Sequence, residues 1–128
     1  MNHELKQERR KVVLIDDDPV FCSIMLAAAN ENHINLDAFQ SLREIGYIGK
    51  LSQYRVAIVD FELEEMNGIE IARYLTSLFP NLPMILVSCQ PLLEISQGQL
   101  PPCVKGYFQK SFGYTPIINS TRELLYAS

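Results

Sequence analysis

The stretch KVVLIDDDPVF, residues 11–21, decides the fold, because an apolar run passes directly into three aspartates and a proline. Lys11 to Ile15 predicts a strand that is buried on both faces. Asp18 and Pro19 fit the N-cap and the first position of a helix, which continues from Val20 to about Asn30. We therefore expect a strand and a helix joined by a short, highly charged turn.

The rest of the chain alternates short β-branched runs with longer segments of helical periodicity. Further strands are predicted at Val56 to Val59, at Met84 to Val87, in INLDAF from Ile34 and in VKGYF from Val104. A capping box at Ser41 and Glu44 predicts a short second helix. Further helices are predicted at Gly68 to Phe79, at Pro91 to Gln99 and from Thr115. Since no repeat or linker interrupts the pattern, it predicts one α/β domain.

The spacing of apolar residues also predicts which helix faces are buried. In the first helix these residues are Phe21, Ile24, Met25 and Ala28. In the helix from Gly68 they are Ile71, Leu75, Leu78 and Phe79, and in the helix from Thr115 they are Ile117, Ile118, Thr121, Leu124 and Leu125.

Composition excludes several classes of function. The 128 residues carry a net charge of −4, with no basic patch or stripe in the sequence, so we expect no direct binding to nucleic acid. Cys22, Cys89 and Cys103 lack the spacing of a metal site and are predicted to be free thiols in a reducing cytoplasm. The polar start MNHELKQERRK has no apolar signal-peptide core, and no run of about 18 apolar residues predicts a membrane span.

The predicted strands carry reactive side chains at their carboxyl ends. Asp16 and Asp17 follow the first strand, Asp60 the third, Ser88 the fourth and Lys110 the fifth. In an open parallel sheet these ends share one edge, where ligands bind. Two carboxylates about 4 Å apart repel by roughly 4 kcal/mol at an effective dielectric constant of about 20, so the cluster indicates a bound cation. Mg²⁺ suits it, because this ion prefers hard oxygen ligands.

Four motifs make the chain resemble the receiver domain of two-component response regulators, from Lys11 to the final helix. They are LIDDDP, AIVDFELEEMNGIE, MILVSC and GYFQK. The resemblance implies a CheY-like, flavodoxin-like α/β fold of three layers, with a doubly wound five-stranded parallel sheet in the order 2-1-3-4-5. It places the receiver domain at residues 11–128, after a polar extension at residues 1–10.

The resemblance also implies a role for each matching residue. Asp60 would be the phosphoacceptor, and Mg²⁺ would be held by Asp17, with Asp16 assisting, by Asp60 and by the backbone carbonyl of Glu62. Lys110 would be the partner of the phosphoryl group. The switch would consist of the Ser88 hydroxyl and the Tyr107 ring, which changes rotamer when Ser88 swings towards the phosphoryl group.

By the same resemblance, the phosphoryl donor is a histidine kinase or a histidine phosphotransfer protein, and the output is contact with a downstream protein target. Members of the family can also form homodimers, and for this chain the resemblance implies an interface at the predicted helices at Pro91 and Thr115 and the strand between them. A cytoplasmic signalling domain is implied rather than an enzyme.

Three positions depart from the family pattern. Ser111 stands where a proline with a cis bond usually follows the lysine, which predicts a trans bond and a rearranged loop, since cis bonds before other residues cost about 2.5 to 4 kcal/mol. The loop after Asp60 adds Glu62, Glu64 and Glu65, which would weaken phosphoryl binding or strengthen metal binding. LPPCVKG before the last strand predicts a short or mobile helix at Pro91 to Gln99.

Two other functions fit parts of the pattern. Asp16 and Asp18 form an Asp-x-Asp motif that, with Ser88 and Lys110, is similar to the haloacid dehalogenase phosphatases. That reading leaves Asp60 unexplained and finds neither an acidic pair after Lys110 nor a cap domain in the sequence. A pseudo-receiver, which binds proteins without being phosphorylated, would also fit the departures at Ser111 and Glu62.

Overall fold

The computed structural model describes residues 11–64, 66–91 and 100–127. Its strands are β1 (Lys11–Ile15), β2 (Asn35–Phe39), β3 (Tyr54–Asp60), β4 (Glu62–Leu63), β5 (Met66–Asn67), β6 (Met84–Ser88) and β7 (Val104–Gln109). Five of them form one parallel sheet in the order β2-β1-β3-β6-β7. This is the predicted order 2-1-3-4-5, because β4 and β5 pair only with each other in a small antiparallel hairpin. The predicted fold is therefore confirmed.

Helices cover both faces of the sheet. They are α1 (Pro19–Glu31), α2 (Leu42–Ile45), α3 (Gly68–Leu78) and α4 (Thr115–Tyr126), with 3₁₀ turns at Ile48–Gln53 and Lys110–Phe112. The helix predicted at Pro91 to Gln99 falls on residues 92–99, which lie outside the described residues. No helix in the described part of the chain has the length and apolar character needed to cross a bilayer.

The alternation of side chains along each strand builds two cores. In β1, Val12 and Leu14 pack with α1 and α4, whereas Val13 and Ile15 pack with α2 and α3 on the opposite face. Because successive side chains of a strand point to opposite faces, a strand buried on both sides must be apolar throughout. Since the five strands are parallel, their carboxyl ends lie at a single edge of the sheet, where the charged turns begin.

The start of α1 follows the prediction, and its buried face differs from the predicted one in three residues. Asp18 is the N-cap, and its carboxylate accepts the N–H of Val20 at 3.0 Å. Ile24, predicted to be buried, is 45% exposed, while Cys22 and Ala29 are buried instead. The buried face of α1 is rotated by part of a turn from the predicted one, because residues on both sides of Phe21 and Met25 pack against the sheet.

The other predicted helices are found with similar adjustments. Leu42–Ile45 is short, and the Ser41 hydroxyl accepts the N–H of Glu44, as the capping box predicts. Leu78, predicted to be buried in α3, is 45% exposed at the end of that helix. In α4, the predicted face is confirmed, with Leu124 only partly buried.

Candidate functional site

Three aspartates meet at the carboxyl edge of the sheet. Asp16 and Asp17 follow β1, and Asp60 ends the neighbouring strand β3, so strand pairing brings them together. Each of the three offers a carboxylate oxygen within 4.8 Å of the others. Asp16 and Asp60 are buried, whereas Asp17 is exposed. Residues far apart in sequence therefore form one cluster with an open side towards solvent.

Lys110 enters this cluster from the end of β7. Its Nζ atom lies 2.7 Å from Asp16 Oδ2 and 3.9 Å from Asp60 Oδ1. The first contact is a short ion pair, and Asp16 Oδ2 has no other hydrogen-bond partner among the described residues. Lys110 thus rests closer to the aspartate after β1 than to the predicted phosphoacceptor.

Backbone amides fix the orientation of the two buried carboxylates. The N–H of Asp18 donates to Asp16 Oδ1 at 2.9 Å, and the N–H of Glu62 donates to Asp60 Oδ1 at 3.2 Å. The Cys22 thiol lies 3.2 Å from the backbone carbonyl of Asp16 and donates to it. Each carboxylate is therefore anchored through one oxygen.

Burial has a large effect on the ionisation of these groups. It raises the pKa of Asp60 to about 7, and the nearby charge of Asp16 adds to the increase, against the opposing effects of the Glu62 N–H and Lys110. Burial also raises the pKa of Asp16, although Lys110 opposes it. Burial alone would lower the pKa of Lys110, but its contacts with Asp16 and Asp60 raise it. The site is short of positive charge.

These residues fit a divalent cation. The three carboxylates supply hard oxygen ligands, which Mg²⁺ prefers. The buried Asp16 Oδ2 has Lys110 as its partner and no further hydrogen bond among the described residues, so it has room to ligate an ion. Glu62 and Glu64 do not join this cluster among the described residues. The Glu64 carboxylate instead accepts the N–H of Leu42 at the start of α2.

The prediction that Glu64 adds negative charge at the site was therefore wrong, because the carboxylate is used to cap α2. Its backbone has a positive φ of 57°, which reverses the chain between β4 and β5 and directs the side chain to that helix. Glu65 lies outside the described residues. The Lys110–Ser111 bond is trans, as predicted, and begins a 3₁₀ turn.

The remaining two predicted residues lie next to the aspartates. Ser88 ends β6 and is completely buried, and its hydroxyl accepts the N–H of Gln90 at 3.0 Å. Tyr107 is half-buried in β7, and its phenol lies beside the Ser88 hydroxyl; burial raises the pKa of Tyr107, and that hydroxyl opposes the increase. In this structure the Tyr107 ring is thus already turned inward.

Phe61 supports that orientation of Tyr107. The two rings meet edge to face with their centroids 5.5 Å apart. On its other side, Phe61 packs against Gly68, where any Cβ atom would overlap the ring. The residue after Asp60 is therefore in direct contact with the predicted switch aromatic.

Two aromatic residues contact the site without a role that the sequence motifs predict. Phe61 was not singled out, and Phe21 was predicted only as a core residue of α1. The structure places the Lys110 Nζ atom over the Phe21 ring, 4.5 Å from its centroid. The sequence signal that could have indicated this contact is the position of Phe21 in the first turn of the helix that follows the aspartates.

Solved structures share this fold at low sequence identity. The chain is similar to the response regulator TrrA from Thermotoga maritima in complex with Mg²⁺-BeF, with a TM-score of 0.74 and 18% identity over 90% of this chain and 98% of that chain. It is similar to the receiver domain of the Francisella response regulator 1452, with a TM-score of 0.77 and 22% identity over 91% of this chain and 96% of that chain. It also matches the complex of the histidine kinase ThkA with TrrA, at 19% identity and a TM-score of 0.74, over 91% of this chain and 98% of that chain.

No curated protein sequence matches the chain significantly. The family model described as the response regulator receiver domain does match, over residues 12–122. The matched segment includes β1 from its second residue, the aspartate cluster, Lys110 and most of α4. The chain belongs to the response regulator receiver domain family.

Proposed function

We propose that Asp60 accepts a phosphoryl group from the phosphohistidine of a histidine kinase or a histidine phosphotransfer protein. The observation that carries the proposal is the meeting of Asp16, Asp17 and Asp60 within 4.8 Å of one another, with Lys110 beside them. A carboxylate can act as the nucleophile in phosphoryl transfer, for which a protein mainly supplies position and neutralising charge. As a receiver domain, the chain is a signalling protein rather than a classical enzyme.

In this reaction a carboxylate oxygen of Asp60 forms the bond to phosphorus as the phosphorus–nitrogen bond to histidine breaks. The N–H of Glu62 holds Asp60 Oδ1 and so limits rotation of the carboxylate. Lys110 would neutralise an oxygen of the transferred group, moving from its ion pair with Asp16. The histidine nitrogen leaves as neutral imidazole once it takes up a proton.

Mg²⁺ is the proposed cofactor, held by the carboxylates of Asp16, Asp17 and Asp60 and by the backbone carbonyl of Glu62. When bound, it would neutralise negative charge that develops on the phosphoryl oxygens. The similar fold of TrrA, which was solved with Mg²⁺-BeF, supports this choice of ion. Burial raises the pKa of Asp60 to about 7 and the charge of Asp16 adds to the increase, so a bound cation would favour the ionised carboxylate that attacks phosphorus.

The proposed switch uses Ser88 and Tyr107. Phosphorylation adds acceptor oxygens beside the buried Ser88 hydroxyl, which would turn from its contact with Gln90 to donate to them. Because the Tyr107 phenol lies beside that hydroxyl, its surroundings change at the same time. The altered surface around β7 and α4 would then bind a downstream protein target, or a second copy of the chain, in the cytoplasm.

The test is incubation with acetyl phosphate and Mg²⁺, followed by intact-mass measurement. We expect one phosphoryl group on the protein, none on Asp60→Asn, and an unchanged adduct on Asp37→Asn. Asp37 is a matched control, because its carboxylate accepts the Tyr54 hydroxyl away from the cluster. An adduct that persists in Asp60→Asn would refute the proposal.

The other functions give different results in this experiment. A pseudo-receiver would form no adduct in either protein. A phosphatase of the haloacid dehalogenase type would release phosphate repeatedly from an aryl phosphate, whereas a receiver would not. The donor class is tested by phosphotransfer from a radiolabelled histidine phosphotransfer protein, which should label the wild type and leave Asp60→Asn unlabelled.

A further inference from the structure

Phe21 lies beneath the ammonium group of Lys110. The Nζ atom is 4.5 Å from the ring centroid, and both side chains are largely buried, with Phe21 7% exposed and the Lys110 side chain 10% exposed. A lysine over the face of an aromatic ring is attracted by its quadrupole, and the attraction grows when the cation is desolvated. This contact therefore has the geometry and burial of a strong cation–π interaction.

We propose that Phe21 is a positioning residue that keeps the Lys110 ammonium in the site when Asp16 binds a metal ion. The inference rests on the proposed function of Asp60 and adds a residue to the reaction. It stands on the position of the ring beneath the charged ammonium group.

The need for such a residue follows from the partners of Lys110. Its anionic contacts among the described residues are Asp16, at 2.7 Å, and Asp60, at 3.9 Å, and both carboxylates belong to the proposed metal site. Once these carboxylates ligate a dication, they attract the ammonium group less, and the dication repels it. Without another partner, the flexible lysine side chain would turn away from the phosphoryl position.

Phe21 meets this need because its ring does not compete for the metal ion. It offers no carboxylate or carbonyl oxygen, which are the ligands that Mg²⁺ takes from proteins. The Phe21 ring packs in the apolar core between α1 and the sheet. The first turn of α1, which carries Phe21, is held by the Cys22 N–H, which donates to Asp18 O at 3.0 Å. The backbone of Lys110 is fixed as well, since its carbonyl accepts the Gly113 N–H at 3.0 Å.

The chain offers a matched pair of variants and an internal control. Phe21→Tyr keeps an aromatic face under the ammonium, whereas Phe21→Leu keeps an apolar side chain and removes the face. The control is Phe39→Leu, because Lys50 Nζ lies 5.3 Å from the Phe39 centroid, and the Phe39 carbonyl that accepts the Asp16 N–H belongs to the backbone, which the substitution keeps. Phe21→Leu and Phe39→Leu thus each remove an aromatic ring from a lysine ammonium group, the first at Lys110 and the second at Lys50.

The first readout is an NMR measurement that needs no phosphorylation. Protons on the Lys110 ε-carbon should show an upfield ring-current shift in the wild type, and that shift should persist when Mg²⁺ alone is added to saturation. It should persist in Phe21→Tyr and vanish in Phe21→Leu. Loss of the shift in the wild type on addition of Mg²⁺ would overturn the inference, because Lys110 would then have left the ring.

The second readout is the rate of phosphorylation by acetyl phosphate at saturating Mg²⁺. We expect Phe21→Leu to be slower by roughly threefold to thirtyfold, the rate equivalent of a cation–π contact, with Mg²⁺ affinity unchanged or tighter. Phe21→Tyr should stay within about twofold of the wild type, as should Phe39→Leu. Equal losses in both Phe21 variants, or none in Phe21→Leu, would refute the positioning role.

The two proposals fail in different ways. If the wild type forms no adduct at Asp60, the proposed function is wrong, and the ring-current shift with Mg²⁺ still decides where Lys110 is held. If Asp60 is phosphorylated and Phe21→Leu reacts at the wild-type rate, only the role of Phe21 is wrong.

Discussion

The interior of the sheet and its carboxyl edge are buried to a similar degree but differ in chemistry. The strand interiors are apolar on both faces, whereas the edge buries Asp16, Asp60 and Ser88, with Lys110 nearly enclosed. Apolar burial stabilises a fold, while a buried charge weakens it unless that charge is fully paired. The difference shows that stability comes from the interior and is partly lost at the edge, where the carboxylates are buried.

The charge count at the edge explains the loss. Three carboxylates share one ammonium group among the described residues of the cluster. Burial raises the pKa of Asp60 to about 7, and the charge of Asp16 adds to the increase. Substitutions in the two regions should therefore have opposite effects on the metal-free protein.

The largest expected effect is in the interior. Leu14 is completely buried between the sheet and α1, so Leu14→Ala should lower the free energy of unfolding by about 3 kcal/mol, through lost burial and a residual cavity. Urea denaturation measures this loss. The matched control is Leu26→Ala in α1, because Leu26 is 42% exposed and should lose less than about 1 kcal/mol. Similar losses in both variants would remove the contrast between buried and exposed positions.

At the edge, Asp60→Asn should stabilise the metal-free protein. The folded-state pKa of Asp60 is about 7, above its ordinary value of 3.8, so folding favours the protonated form. Its contribution to stability is complete below pH 3.8 and is lost as the pH rises through about 7. The neutral amide avoids this loss, and we expect a gain of about 2 kcal/mol at pH 8.

The measurement is urea unfolding of both proteins in EDTA at pH 8 and at pH 4. The gain should shrink towards zero at the lower pH, where Asp60 is protonated in the wild type. Addition of Mg²⁺ at pH 8 should stabilise the wild type more than the variant, because binding to the folded state adds to its stability. A variant less stable than the metal-free wild type at pH 8 would contradict the charge imbalance.

The edge also has an apolar part, at Phe61 and Gly68. Gly68→Ala should destabilise the protein by about 1 kcal/mol, because its Cβ atom would overlap the Phe61 ring, which must then shift against Tyr107. Urea unfolding and the NMR shifts of the Tyr107 ring protons test this. In the control Gly49→Ala, the new Cβ meets Tyr47, which is 77% exposed and can turn into solvent. Unchanged Tyr107 shifts in Gly68→Ala would rule out the contact.

The sequence predicted most of the fold, because its signals were local and repeated. β1 has the predicted bounds, Asp18 is the predicted cap, and the sheet order follows from the family pattern. The hairpin of β4 and β5 was missed, since strands of two residues carry too little pattern to be recognised. Ile24 and Leu78 were predicted on buried faces because periodicity gives the centre of a stripe and not its width.

The position of the site was also predictable, but its internal contacts were not. Strand ends fixed where Asp16, Asp60 and Lys110 would lie, since parallel strands end at a common edge. The preference of Lys110 for Asp16 over Asp60 depends on rotamers and on the Phe21 ring, which are properties of packing. The use of Glu64 to cap α2 likewise depends on a backbone turn that no local motif specified.

The smallest effect on stability is expected for Asp17→Ala. This variant also separates the contribution of the edge to metal binding from its contribution to the fold. Asp17 is exposed, so water screens its repulsion from Asp16 and Asp60, and the metal-free variant should be as stable as the wild type or slightly more so. Mg²⁺ affinity should nevertheless fall by about tenfold or more, since one of three carboxylate ligands is lost. Calorimetric titration with Mg²⁺ and urea unfolding in EDTA measure the two quantities separately. A marked loss of metal-free stability would mean that Asp17 supports the fold, whereas unchanged affinity would place the ion elsewhere. If affinity falls and stability holds, the exposed aspartate acts in binding alone, in contrast to Leu14, whose whole contribution is to the fold.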